Sequence, residues 1–339
     1  MKYPEFLKKN DTIGLVAPSF GVSGFPYEDK YLSAREKFED SGFSFVEAKH
    51  LRGIRHARSA SARIRARELM EMYLREDVDF VESVAGGELM LEILPYLNIE
   101  KLRKARPKWF MGISDNTVFT YTLTVLCDIA SIYGPCLGSF GMRKWDKSIK
   151  EAYEIINGQR LKQKSYAKYE LPENSKSSDD PLSGYYKTEP VVYHSLDGND
   201  VTMKGRLVGG CLDILLNICG TRFDRVREFG EKYRDDGIIF YLEACDLNIL
   251  DIYRGIWQLK NASWFDNCTG IIMGRPRNGG EMFDVDIKEV LKNNLKDLNI
   301  PVVYGANIGH VPPSWTIING SIGTVRYKNG KCSIEYELR

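Results

Sequence analysis

Short apolar runs alternate with longer amphipathic stretches through the first half of the chain, and this alternation restricts the fold more than any other feature. It is the pattern of strands and helices wound around a mostly parallel sheet. Residues 12–18 (TIGLVAP) read as a buried strand, followed by a loop through Gly21 and Gly24 and a surface helix over 27–39 that carries Tyr31 and Phe38 among charges. The pattern continues with a strand over 43–47 and a strong helix over 61–75, where Ile64, Leu69, Met70 and Tyr73 lie among arginines. A strand over 78–84, a helix over 89–97, a strand over 109–111, a helix over 116–128 and a strand over 130–133 complete it. The expected class is α/β, doubly wound.

The texture changes between residues 163 and 200, where the run from Glu173 to Pro181 is polar and short of apolar anchors. A linker or active-site loop fits such a stretch. Beyond it, strands and helices resume over 204–208, 211–219, 237–242, 250–259, 270–273, 287–298 and 301–304. The end of the chain reads as a hairpin, 322–326 and 332–337, turning at Asn329-Gly330. The expected division is an N-terminal α/β domain over 1–165, a polar linker or active-site loop over 166–200, and an α+β C-terminal domain over 201–339. A chain of 339 residues with 43% hydrophobic content is long enough for two such cores.

Lys plus Arg number 47 and Asp plus Glu 46, so the net charge of +1 supplies no field to attract nucleic acid or an anionic membrane. A small-molecule ligand is expected instead. The seven cysteines are scattered, with no CxxC and no disulfide framework, which suits a reducing cytosol. No apolar stretch approaches the roughly 18 residues of a membrane span, and the first residues lack a leader's apolar core, so the expected location is cytoplasmic.

Among nucleophiles, Ser114 stands out. The run from Trp109 to Thr117 (WFMGISDNT) is an apolar strand, a glycine, and a polar turn into a helix. A sharp strand-to-helix turn lifts a serine out of the sheet and aims helix-start N–H groups at the same space. Backbone N–H, that of Asp115 among them, would then meet a developing oxyanion. The alternative is that Ser114-Asp115 only caps the helix. Gly86-Gly87, directly after the strand over 78–84, is either a second donor turn or an ordinary tight turn.

A serine needs a base, and there are four histidines. His50 and His56 lie in a basic stretch, and His194 sits near the polar loop. His310 follows a buried strand and precedes Pro312-Pro313, a place where a rigid sheet presents a side chain to a cleft. Glu243 ends the apolar run 238–242 and could orient an imidazole. Its other reading is a salt bridge to Arg254 or Arg275, and Asp246 is an alternative acid. HExxH, a Walker lysine loop and a full GxGxxG are all missing, so neither a metal nor a cofactor is expected.

Taken in order, Ile13-Gly14-Leu15-Val16-Ala17-Pro18-Ser19, Gly86-Gly87, Gly112-Ile113-Ser114-Asp115-Asn116-Thr117, Tyr133-Gly134-Pro135, Gly205-Arg206-Leu207-Val208-Gly209-Gly210, Glu243, Gly274-Arg275 and Gly309-His310 resemble one family. It is the LD-carboxypeptidase serine peptidases, which include the microcin C immunity proteins. The resemblance implies a triad of Ser114, Glu243 and His310, and an oxyanion hole from the backbone of Gly87 and Asp115. It implies a flavodoxin-like (class I amidotransferase-like) N-terminal domain, a barrel-like C-terminal domain and a homodimer. The substrate would be a murein peptide with an L,D bond or a peptidyl or aminoacyl nucleotide. Ala85 stands where the murein branch looks like Arg-Gly-Gly, and the long polar insertion looks like the microcin-immunity branch. That insertion has no Trp, so Tyr185 and Tyr186, with Gly86, are the candidate substrate contacts. Rival readings are a non-catalytic small-molecule binder on the same scaffold and a nucleotide binder using the loop over 19–24.

Overall fold

The computed structural model describes residues 1–339. The chain packs as two units. The first holds Met1–Arg160, Asn174–Tyr186 and Thr316–Ile318; the second holds Leu161–Glu173, Lys187–Trp315 and Asn319–Arg339.

The first unit is built on β1 (Thr12–Val16), β2 (Ser44–Glu47), β3 (Phe80–Ser83), β4 (Trp109–Gly112) and β5 (Ser131–Tyr133), with β14 (Ile317–Asn319) at the edge beside β5. The order β2-β1-β3-β4-β5 is all parallel. That is the flavodoxin-like order, and its direction reverses between β1 and β3. The strands β3 and β4 are buried along their whole length; β4 accordingly reads as an apolar run, whereas β3 buries Glu82 and Ser83 beside Phe80 and Val81.

Helix α1 (Tyr27–Asp40) buries Tyr31, Ala34 and Phe38, one stripe at helical spacing. Helix α2 (Ala62–Leu74) buries Ala66, Leu69, Met70 and Tyr73, but also Arg65, one of the arginines expected on its polar side. Arg65 tolerates burial because its guanidinium donates to the carbonyls of Pro18 and Leu89 and to Glu92. The segment expected as a helix over 89–97 is a 3₁₀ helix, Met90–Tyr96, with Pro95 inside it. Proline offers no N–H to an α-helical bond. The expected helix over 116–128 starts as Thr117–Tyr121 and widens to a π-helix over Thr122–Leu126. There the Ser131 hydroxyl donates to the Thr120 carbonyl at 3.0 Å, and a side chain entering the ladder is a known cause of such a change. An additional helix, Lys147–Ile156, is capped by Asp146 and buries Ile149, Ala152, Ile155 and Ile156.

The second unit holds an eight-stranded mixed sheet. Its strands are β6 (Lys162–Lys164), β9 (His194–Ser195), β10 (Val201–Cys211), β11 (Ile238–Glu243), β12 (Cys268–Gly274), β13 (Val302–Ala306), β15 (Ile322–Lys328) and β16 (Lys331–Glu337). The short pair β7 (Lys168–Tyr169) and β8 (Glu189–Pro190) stands apart from it. The order is β6-β16-β15-β10-β11-β12-β13-β9. Strands β10 to β13 are mutually parallel, and both flanks are antiparallel. The β15–β16 hairpin turns at Asn329 and Gly330, whose φ values of 46° and 73° are the pair a two-residue type I′ turn demands.

All six residues of β11 are buried, and Phe240 at its middle packs edge-on against Phe265 at 5.2 Å. Phe240→Ala should therefore cost about 3–5 kcal/mol in chemical denaturation; a loss below about 1 kcal/mol would show that this position is not a packed core.

Candidate active site

Strand β4 ends at Gly112, and two residues later the backbone turns over. Ser114 has φ +68°, in the left-handed region, before the 3₁₀ turn Ser114–Asn116 and the helix from Thr117. A non-glycine residue is held there only when its surroundings insist. They do: the Ser114 N–H donates to the Tyr133 hydroxyl at 3.1 Å, and Asn116 Nδ2 donates to the carbonyls of Ile113 and Ala85, each at 3.0 Å. The capping alternative is not what forms. No side chain caps either the turn or the helix that follows, and the Asp115 carboxylate is engaged elsewhere.

Gly86 lies against the serine: a Cβ there would stand 3.2 Å from Ser114 Cβ and 3.5 Å from its Oγ. Gly87 has φ +151°, and a Cβ would fall 2.2 Å from Ser19 Oγ, so no other residue fits this turn. Tyr185 and Tyr186 belong to the same unit. Tyr186 is exposed, with Lys176 Nζ 4.7 Å from its ring centre, and Tyr185 is half-buried.

In the second unit, β11 delivers Glu243 at its last position with its side chain fully buried. The carboxylate meets His310 Nδ1 at 2.8 Å. The salt bridges considered for it do not form, because Arg254 pairs with Asp251 and Arg275 donates to the Gly305 carbonyl. Asp246, the other acid considered, is exposed and faces Arg277. Burial opposes a charged imidazole at His310, yet the Glu243 carboxylate, with Cys245 assisting, outweighs it and holds the His310 pKa well above 6.5. The pair fixes one ring nitrogen; the other, Nε2, is buried with no hydrogen-bond partner.

The loop that carries His310 is fastened on both sides. Asn307 accepts from the Tyr166 N–H and the Tyr193 hydroxyl at its Oδ1, and donates to the Pro313 carbonyl from Nδ2. Gly309 has φ +96°, and a Cβ there would lie 2.3 Å from Glu243 Oε2. Cys211 lies close by: its Sγ, a Glu243 oxygen and a His310 nitrogen fall within 4.8 Å of one another. Burial pushes this thiol well up, and it bonds to Asp213 at 3.3 Å, so it stands as a neutral neighbour of the pair. The remaining histidines do not join this pair. His50 pairs with Glu68, His56 is exposed, and His194 stacks on Tyr304.

The expected residues thus fall in two sets: Ser114, Gly86, Gly87 and Asp115 in the first unit, Glu243 and His310 in the second. Three side chains make contacts that the sequence did not assign to them. Tyr133 receives the Ser114 N–H, Ser19 donates to Asp115, and Arg65 ties two loops together. Ser19 stood out only as part of the run over 13–19 and the loop over 19–24, and Tyr133 only within Tyr133-Gly134-Pro135, while Arg65 left no trace.

A pKa raised by folding means that the Glu243–His310 pair supports stability fully below about pH 6.5, and loses that contribution as pH climbs through the folded-state value. Glu243→Gln should lower the His310 pKa, because the largest raising influence is then gone and burial is opposed by Cys245 alone. NMR titration of the ring measures this directly, and an unchanged titration would contradict the pairing.

Comparison with known proteins identifies the family. The LD-carboxypeptidase N-terminal domain model matches residues 13–134, and the C-terminal domain model matches residues 204–325. The microcin C7 self-immunity protein MccF of Escherichia coli is 27% identical over 345 residues, spanning 97% of this chain and 94% of its own length. A Vibrio cholerae protein that carries a carboxypeptidase name is 25% identical over 344 residues, spanning 99% and 98%. Among solved structures, a MccF-like protein from Bacillus anthracis str. Ames shares the fold with a TM-score of 0.85 at 22% identity, covering 99% of this chain and 100% of that one. With both domain models matched in order along the sequence, the chain belongs to the LD-carboxypeptidase family of serine peptidases, which act on peptide-like substrates.

Proposed function

We propose that this peptidase cleaves an amide bond through Ser114 as nucleophile, His310 as general base and Glu243 as the group that orients the imidazole. The observation that carries the reading is the Glu243–His310 pair, which leaves Nε2 buried and unpartnered. Nε2 takes the Ser114 hydroxyl proton as Oγ attacks the carbonyl carbon. The carbonyl oxygen becomes an oxyanion, held by the N–H groups of Gly87 and Asp115, each donor worth about 3–4 kcal/mol of barrier. Collapse breaks the C–N bond, and Nε2 returns its proton to the leaving nitrogen. Water, deprotonated by the same nitrogen, then releases the acyl group from Ser114.

For the substrate, an aminoacyl or peptidyl nucleotide is the leading class and a murein peptide the second. Two features favour the first. Ala85 leaves the position before Gly86-Gly87 without the cation that would hold a carboxylate, and Tyr186 exposes a ring able to stack on a base. MccF structures are described in complex with glutamyl sulfamoyl guanosine and with aspartyl sulfamoyl adenosine. The same reading makes the protein a cytoplasmic homodimer acting on small molecules rather than nucleic acid, a role that its near-neutral charge and seven free cysteines suit. No helix is long and apolar enough to cross a membrane.

Offered an aminoacyl sulfamoyl adenylate and a murein tetrapeptide side by side, the protein should release product from the first, as read by mass spectrometry; product from the tetrapeptide alone would reverse the order. Ser114→Ala should cut turnover at least about a thousandfold, and near-normal turnover would end the assignment of Ser114 as nucleophile. Because His310 must be neutral to accept a proton and folding raises its pKa, kcat/KM should climb with pH through an ionisation above 6.5. A flat profile there would argue against His310 as base.

A further inference from the structure

Asp115 carries more than a main-chain donor. One of its carboxylate oxygens, Oδ2, accepts both the Ser19 hydroxyl and the Met90 N–H, the latter at 2.8 Å. Both side chains are buried, Ser19 fully and Asp115 to 1% exposure. The three residues come from three separate connections: Ser19 follows β1, Met90 opens the 3₁₀ helix after β3, and Asp115 follows β4. Ser19 is also the residue against which Gly87 is pressed, and its neighbour Phe20 donates its N–H to the Gly86 carbonyl at 3.1 Å. Arg65 clasps the same two loops from behind, through the carbonyls of Pro18 and Leu89.

Capping of its own helix and ion pairing do not account for this cluster. Asp115 does not cap the helix that follows it; its Oδ2 takes the first N–H of the 3₁₀ helix Met90–Tyr96, and no cation pairs with it directly. Burial pushes its pKa up, with Ser19 and Met90 pulling the other way. A half-satisfied buried carboxyl, its second oxygen without any partner, is expensive to keep. Such a group is retained where it fixes something that matters.

We propose that Ser19 and the Asp115 carboxylate are positioning residues for the oxyanion site: they lock the Gly86-Gly87 turn to the nucleophile turn, so that the N–H groups of Gly87 and Asp115 keep one fixed separation. The proposal rests on the oxyanion role given above to those two N–H groups. The logic is preorganisation. Donors that must be gathered during the reaction give up much of their advantage, whereas donors held in advance do not. A single carboxylate oxygen reaching across two loops holds both with one group.

The test uses Ser19→Ala, which deletes one oxygen, and Asp115→Asn, which keeps the shape and removes the charge. Each should lower kcat by about 10–100-fold, a share of what a lost oxyanion donor costs, with KM and product affinity within about twofold. Unchanged kcat in both variants overturns the proposal. So does an equal loss in kcat and product affinity, which marks general damage to the fold. If Ser19→Ala does not fold, the same split in Asp115→Asn decides alone. A second readout needs no activity: amide hydrogen exchange at Gly87 and Met90 should quicken by about tenfold in these variants, and unaltered exchange overturns the lock. The reading it rests on fails separately, through Ser114→Ala turnover in the unmodified background.

Discussion

A carboxylate withdrawn wholly from water must be matched by charge or by hydrogen bonds, and Glu243 imposes that condition on the second unit. Its strand is buried from end to end, so it has no route to solvent. Removing the partner of such a charge typically costs about 3–5 kcal/mol. The surrounding structure is arranged accordingly. His310 is brought to 2.8 Å, Gly309 leaves the room that any Cβ would take, and Asn307 ties the loop to Tyr166, Tyr193 and Pro313. The imidazole is thereby fixed in direction and tautomer by the need to satisfy a buried acid. The other ring nitrogen, Nε2, is left buried without a hydrogen-bond partner.

The first unit follows a different logic, that of localised strain on a rigid base. Placing a non-glycine residue at positive φ costs on the order of 1–2 kcal/mol. The buried sheet absorbs it: β4 lies between β3 and β5, and Tyr133 and Asn116 hold the turn on either side. Strand order reverses between β1 and β3, and the loops that leave those strands carry Ser19 and Gly86-Gly87. Open α/β sheets bind their ligands beyond the carboxyl ends of the strands at such a reversal. The proposed nucleophile, Ser114, follows β4, the strand next to β3 in the same sheet.

Much of this was legible in the sequence, for reasons that differ by element. Apolar runs marked β1, β4 and most of β11, since a strand buried on both faces favours apolar residues. Asn329-Gly330 announced its hairpin through the backbone angles those residues favour. The pairing of Glu243 with His310 was expected from Glu243 ending a buried strand, from His310 following one, and from the family resemblance. What escaped depended on partners far away in the chain. Arg65 looked like a surface charge because its acceptors, Pro18, Leu89 and Glu92, are local only in space. Asp115 looked like a helix cap because nothing nearby in sequence reveals Ser19 and Met90 as its partners. The 3₁₀ form of Met90–Tyr96 was readable in principle, since Pro95 stands inside it.

Covalent capture offers the most direct test of the central claim, that Ser114 is a nucleophile served by His310. The protein would be exposed to a serine-directed phosphonate and the adduct mapped by peptide mass spectrometry. The account expects one adduct, at Ser114, formed far more slowly once His310 is replaced by alanine. An unmodified protein, or an adduct on another serine, would contradict it.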